Sequence, residues 1–181
     1  LAGGILINGQ PTVERDYQAL HIHLLYSRKS LDLGRSDDPY DLGETDEYQR
    51  KFIKKIVFTA LNAKNRASAK KAFTKWLNKD KQKRKFPAYA REAVNFDDIL
   101  DRFLELHPKI KHFLCSDIGI KLQNLDAKLT DYVVNRSIVD GVPCLGVHDS
   151  FIVSECYASW ITSMMNEAIE QNNIISIPNI C

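Results

Sequence analysis

Val147-His148-Asp149-Ser150-Phe151 decides the reading of this 181-residue chain. An apolar run (Val142, Cys144, Leu145, Val147) leads into His148-Asp149, and a second run (Phe151, Ile152, Val153) leaves it. Two such runs around two polar residues read as a tight β-hairpin. The hairpin lifts the Asp149 carboxylate to its tip, where a cation can be held. A second carboxylate at a strand end would complete such a site. Thr12-Val13-Glu14-Arg15-Asp16 supplies one, and a basic helix lies between the two in sequence.

At 44% hydrophobic, the chain can bury one sizeable core, in a single domain with an appended subregion. Net charge is only +2, yet residues 50–91 hold 15 of the 25 Lys+Arg and a single acid, Asp80. Such a block is either a solvated face or a surface for phosphates, and charge does not separate the two. The cysteines, Cys115, Cys144, Cys156 and Cys181, include no C-x-x-C pair and no zinc spacing. Cys115 and Cys144 lie in apolar runs and are expected to be buried thiols of a reducing compartment, the cytoplasm. No apolar run approaches the ~18 residues of a membrane span, and no signal peptide is read. Opening at Leu1-Ala2-Gly3-Gly4, almost directly in a strand, the sequence is expected to be a trimmed piece of a longer protein.

Along the chain, Gly4–Asn8 and Thr12–Asp16 flank Asn8-Gly9, a strong hairpin signal. Apolar spacing then predicts a helix to about Ser27, a polar loop over 28–45, and a helix capped by Asp46 that runs over 47–79 with a break near Asn62–Asn65. Lys81–Lys85 reads as a basic break. Asn95 or Asp97 starts a helix that His107-Pro108 ends, and a short helix is expected over 109–115. Further helices are expected over 117–139 and 155–171, on either side of the Asp149 hairpin, with Ile174–Ile180 as a last strand or tail. Hairpin, helices, hairpin, helix predicts an α+β fold: a small antiparallel sheet carrying two carboxylates, backed by helices, with a basic helical insertion.

Asp16 and Asp149 suit a pair of divalent cations, because Mg²⁺ takes hard oxygen ligands, usually one or two carboxylates plus substrate phosphates. Either aspartate alone reads better as a turn or cap residue. On the basic helix, Arg50, Lys54, Phe58 and Asn62 recur every four residues and form one stripe. Phe52, Ile53, Ile56, Val57, Ala60 and Leu61 are left to pack inward. Two cations a turn apart, then an aromatic ring, suit a triphosphate followed by a base.

Taken together, these segments resemble the polymerase core of family A DNA polymerases and single-subunit phage-type RNA polymerases. Asp16-Tyr17-Gln18-Ala19-Leu20-His21 is similar to the first palm motif, Asp-Tyr-Ser-Gln-Ile-Glu. Arg50-x3-Lys54-x7-Asn62-Ala63 resembles the fingers motif, in which Tyr-Gly ends the pattern. Val147-His148-Asp149-Ser150-Phe151 matches the third motif, and Leu122-Gln123 is weakly similar to the start of the palm helix near the primer terminus. The resemblance implies a palm in two parts, 1–45 and 116–181, with a fingers-like insertion over 46–115. It implies Mg²⁺ or Mn²⁺ on Asp16, the Tyr17 carbonyl and Asp149. Arg50 and Lys54 would bind the triphosphate, with Lys54 protonating the leaving pyrophosphate. Phe58, Asn62 and His21 would surround the nucleotide, and Gln123 and His148 would touch the primer.

The sequence departs from the family at Asn62 and Ala63, where Tyr and Gly stand, and at His21, where DNA polymerases carry a Glu. The expected function is a template-directed nucleotidyltransferase acting on a template–primer with nucleoside triphosphates, with further domains or subunits in a longer parent. The basic stretch 64–91, with Phe73, Trp76, Phe86 and Tyr89 among its cations, would carry nucleic acid, although Phe73 and Trp76 equally suit the core of the insertion. The alternatives are a non-catalytic nucleic-acid-binding replication factor with a degenerate palm and a metal-dependent nuclease. The nuclease needs more acids near the pair, and Glu14 is expected to face away from Asp16 and Asp149.

Overall fold

In a computed structural model, which describes residues 4–34, 38–43, 46–147 and 149–181, Asn8 and Gly9 both take positive φ, 53° and 75°. That backbone makes a two-residue hairpin turn between β1 (Leu6–Ile7) and β2 (Gln10–Asp16). A second hairpin joins β3 (Cys144–Val147) to β4 (Ser150–Ser154), and the antiparallel sheet runs β1-β2-β4-β3. Helices back the sheet, so the fold is α+β. Among the described residues, no helix is long and apolar enough to cross a membrane.

The chain divides into two units, Leu1–Ser36 with Leu122–Cys181, and Asp37–Lys121. The boundaries fall at 36/37 and 121/122, where the sequence reading places 45/46 and 115/116. Side-chain chemistry explains the offsets. Arg50 grips Asp38 at 2.6 Å, His107 Nε2 bonds the Pro39 carbonyl at 2.9 Å, and Arg102 donates to the Leu42 carbonyl. At the other end, Cys115 and Asp117 donate their N–H groups to the carbonyls of Ala60 and Ala63.

In the first unit, α1 (Leu20–Ser27) buries Leu20, Ile22, Leu24 and Leu25. Leu122, Leu129 and Val133 of α7 (Gly119–Val139) are fully buried, and Thr130 and Val134 of that helix lie against Gly146 of β3. From α8 (Ala158–Gln171), the Met165 carbonyl accepts the Tyr17 hydroxyl at 2.7 Å. The tail pairs with the end of β2: Asp16 and Cys181 exchange N–H···O bonds of 3.0 and 3.1 Å, and Gln18 N–H donates to Asn179. Upstream, Ser176 Oγ lies 2.8 Å from His23 Nδ1 and accepts the Leu33 N–H. Cys115 and Cys144, expected buried, are half-buried. Partial burial raises both thiols, Cys144 to about 11.

The second unit is helical: α2 (Glu47–Leu61), α3 (Arg66–Leu77), α4 (Asp80–Lys85), α5 (Ala88–Ala93) and α6 (Phe96–Leu106). Asp46, Asn65 and Asn95 cap α2, α3 and α6 with side-chain acceptors, each worth about 1 kcal/mol. Phe52, Ile53, Ile56, Val57, Ala60 and Leu61 are all buried. Phe52 also meets Phe73, Trp76 and Phe86 edge-on or tilted, and Phe73 meets Phe96. The expected break at Lys81–Lys85 is a short helix instead, because Phe86 anchors its end in this aromatic cluster. Over 109–115 only one 3₁₀ turn forms, Lys111–Phe113, since the backbone beyond it is drawn to the end of α2.

Two predictions follow from this packing. A Cβ on Gly119 would lie 2.0 Å from Asn62 Oδ1 and 3.3 Å from Asn62 Cα. Gly119→Ala is therefore expected to destabilise by about 1–3 kcal/mol in denaturant unfolding, and less in an Asn62→Ala background. His107 is 3% exposed, and burial lowers its pKa despite the bond to Pro39. An imidazole that protonates more readily unfolded than folded stabilises fully above its unfolded value of about 6.5. Thermal stability should therefore fall as pH drops below that value, and less steeply in His107→Gln.

Candidate functional site

The two aspartates reach the same sheet end through strand register. Asp16 sits opposite Ser150 in the β2–β4 ladder, and the Tyr17 N–H donates to the Asp149 carbonyl at 3.3 Å. This bond pattern makes Asp16–Ser150 a non-hydrogen-bonded pair, the closer kind, with Cα atoms about 4.5 Å apart. Asp149 follows in the turn between β3 and β4 and is exposed, while Asp16 is half-buried. His148 lies outside the described residues.

Alternation along the strands assigns the two faces of the sheet. Tyr17, Phe151 and Gly146 lie on the face packed by α7 and α8. Asp16, Ser150 and Val147 belong to the other, where Val147 and Leu145 are 42% and 49% exposed. Glu14 shares this second face, contrary to the sequence expectation. Two residues along a strand return to the same side, and Ser150 Oγ donates to Glu14 Oε1 at 3.0 Å. That hydroxyl also lies 3.0 Å from the Val147 carbonyl.

Tyr17 is 2% exposed; burial, with Asp126 nearby, keeps its phenol protonated well above the usual range. His21, in the first turn of α1, is half-buried. Burial lowers its pKa, while Asp126 and Asp149 pull it upward. Asp126 was not singled out from sequence. It lies four residues after Leu122 and three before Leu129, so an acid on the apolar stripe of α7 was the available signal. Gln123, one residue beyond Leu122, is exposed.

Within the helical unit, Arg50, Lys54, Phe58 and Asn62 are all exposed. They are not bare. Arg50 is paired with Asp38, and Lys54 Nζ lies 5.4 Å from the Tyr40 ring centroid. Lys55 Nζ covers Phe58 at 4.9 Å. Asn62 is the C-cap of α2, and its Nδ2 donates to the Phe58 carbonyl at 2.8 Å. Of the aromatics in the basic stretch, Phe73 is core, as one of its two readings has it, and Phe86, expected to carry nucleic acid, is core too. Each is 2% exposed, whereas Tyr89 is 62% exposed.

Among the described residues, no three His, Cys, Asp or Glu side chains gather into a group able to hold a metal ion. Asp16 and Asp149, which the sequence predicts as ligands, both belong to this end of the sheet. No protein-family model matches the chain, and no curated protein matches it.

The electrostatics of His21 give a prediction. Asp149→Asn removes a charge that favours the imidazolium, so the His21 midpoint in an NMR titration should move lower still. Asp126→Asn should move it in the same direction. A rise in either variant would contradict the placement.

Proposed function

We propose that this chain is a template-directed nucleotidyltransferase, adding nucleotides to a nucleic-acid 3′-hydroxyl. The strand register carries the reading: Asp16 and Asp149, 133 residues apart, belong to neighbouring positions at one end of one sheet. In this reading the sheet is a reduced palm and the helical unit a reduced fingers insertion. Both carboxylates are reachable by solvent and supply the hard oxygen atoms that Mg²⁺ or Mn²⁺ prefers. When bound, a pair of such ions activates the attacking hydroxyl and stabilises the leaving oxygen of an in-line displacement.

The remaining roles belong to the chain's own groups. Tyr17, tied to Met165 and buried, fixes the end of β2, so that Asp16 and the Tyr17 carbonyl keep their positions as ligands. Arg50 and Lys54 bind the triphosphate, Arg50 exchanging Asp38 for phosphate, and Lys54 gives a proton to the departing pyrophosphate. Phe58 and Asn62 contact the base and sugar, and Gln123 contacts the primer. The Glu14 carboxylate on the same face favours a second reading, a metal-dependent nuclease.

Primer extension by the purified chain tests both, with dNTPs against rNTPs in Mg²⁺ and in Mn²⁺. Elongated product is expected; shortening of a labelled strand would instead identify a nuclease. Asp149→Asn is nearly isosteric and is expected to lower extension by orders of magnitude while nucleic-acid binding holds, because a neutral amide is a poor Mg²⁺ ligand. Lys54→Ala should weaken nucleotide binding and slow the chemical step together. Salt-sensitive binding without extension under any condition would leave a non-catalytic binding module.

A further inference from the structure

We infer that the outer side of α3, together with α4, holds the phosphate backbone of duplex nucleic acid through charge and without base stacking. The inference deepens the nucleotidyltransferase reading and takes the class of partner from it. What is new is the surface, the form of nucleic acid and the mode of contact.

Residues 64–91 contain 11 Lys and Arg against one acid, and the fold sorts these cations into two groups. Arg66 is held by Asp97 at 2.8 Å and Asp101 at 2.6 Å, and Lys70 by Asp97. Lys83 lies 3.8 Å from Asp80. By contrast, Lys71, Lys75, Lys79, Lys81 and Arg84 are exposed, and no ion pair to them is found among the described residues. Lys71 and Lys75 stand one turn apart on α3, about 6 Å along a helix, and Lys79 follows between α3 and α4. Ala67, Lys70, Lys71, Thr74, Lys75 and Asn78 line a shallow depression on α3. Short side chains at 67 and 74 let a phosphate oxygen come close to the helix between the ammonium groups.

Aromatic burial decides the mode of contact. A single-strand platform presents rings on which successive bases stack. Here Phe73 and Phe86 are core, and Trp76 packs on Phe52, Phe73 and Phe86 beneath Lys55. Within residues 64–91 one exposed ring, Tyr89, does not make a platform. Phosphate contacts need no access to bases, and a duplex carries one charge per ~1.7 Å of axis against ~3.4 Å for each strand. The surface therefore favours duplex over single strand.

The test is fluorescence anisotropy on the full chain, with a short duplex and a single strand of equal length, in EDTA without nucleotide. Duplex is expected to bind more tightly. With five phosphate contacts the log–log salt slope is about −4.5, a loss of about 500-fold between 50 and 200 mM salt. The double variant Lys71→Gln/Lys75→Gln, with an unchanged thermal midpoint, should reduce the slope to about −2.7, a loss of about 40-fold. Tyr89→Ala should leave the slope near that of the parent. Tighter single-strand binding that Tyr89→Ala weakens would overturn the inference, as would anionic vesicles that compete as well as duplex. A slope unmoved by the double variant would do the same. Duplex binding without extension defeats the polymerase reading and leaves this surface standing; extension with a duplex affinity indifferent to Lys71 and Lys75 does the reverse.

Discussion

Pairing of β2 with β4 is the constraint on which the candidate site depends. Every residue of β4 is buried, so the strand has no solvent face to exchange for another. Burial of Phe151, Ile152 and Val153 contributes on the order of 1.5–3 kcal/mol each. A slip of one residue would turn every side chain to the opposite face. It would move Asp16 to the side occupied by Tyr17 and bring Tyr17 out of its bond to Met165. Apolar packing thus sets the address of a polar group.

The end of β2 is held from both sides. Ser150 of β4 and Asp149 of the preceding turn flank it on one side, and Asn179–Cys181 pair along its other edge. Tyr17 pins it from below, through a phenol that burial keeps neutral. A carboxylate on a backbone fixed at three points loses little freedom when it takes a ligand, which is the kind of preorganisation that binding sites reward.

Legibility followed the range of the interactions. The Asn8-Gly9 turn, the caps at Asp46 and Asn95, the break after Leu61 and the hairpin around Asp149 depend on residues a few positions apart, and each was readable. What escaped depended on distant partners. Phe86 turned a basic break into a helix end by entering an aromatic cluster. The unit boundaries moved because Asp38, Pro39 and Leu42 answer to Arg50, His107 and Arg102, partners invisible in a linear reading. Glu14 is a different case: alternation along β2 alone places it on the face of Asp16. Asp126 was marked by its place on an apolar stripe, but its closeness to His21 and Tyr17 required the folded helix.

The long excursion between β2 and β4 has a consequence for how the chain folds. Their ladder joins residues 12–16 to residues 150–154, so it can close only after the whole intervening chain has been gathered in. A flexible loop of that length would exact a closure entropy that slows non-local pairing. The intervening helices instead pack on one another, α2 against α3 and α6, across shorter sequence separations than the ladder spans. The helical unit is thus expected to act as a folding chaperone within the chain, shortening the effective loop before the sheet closes.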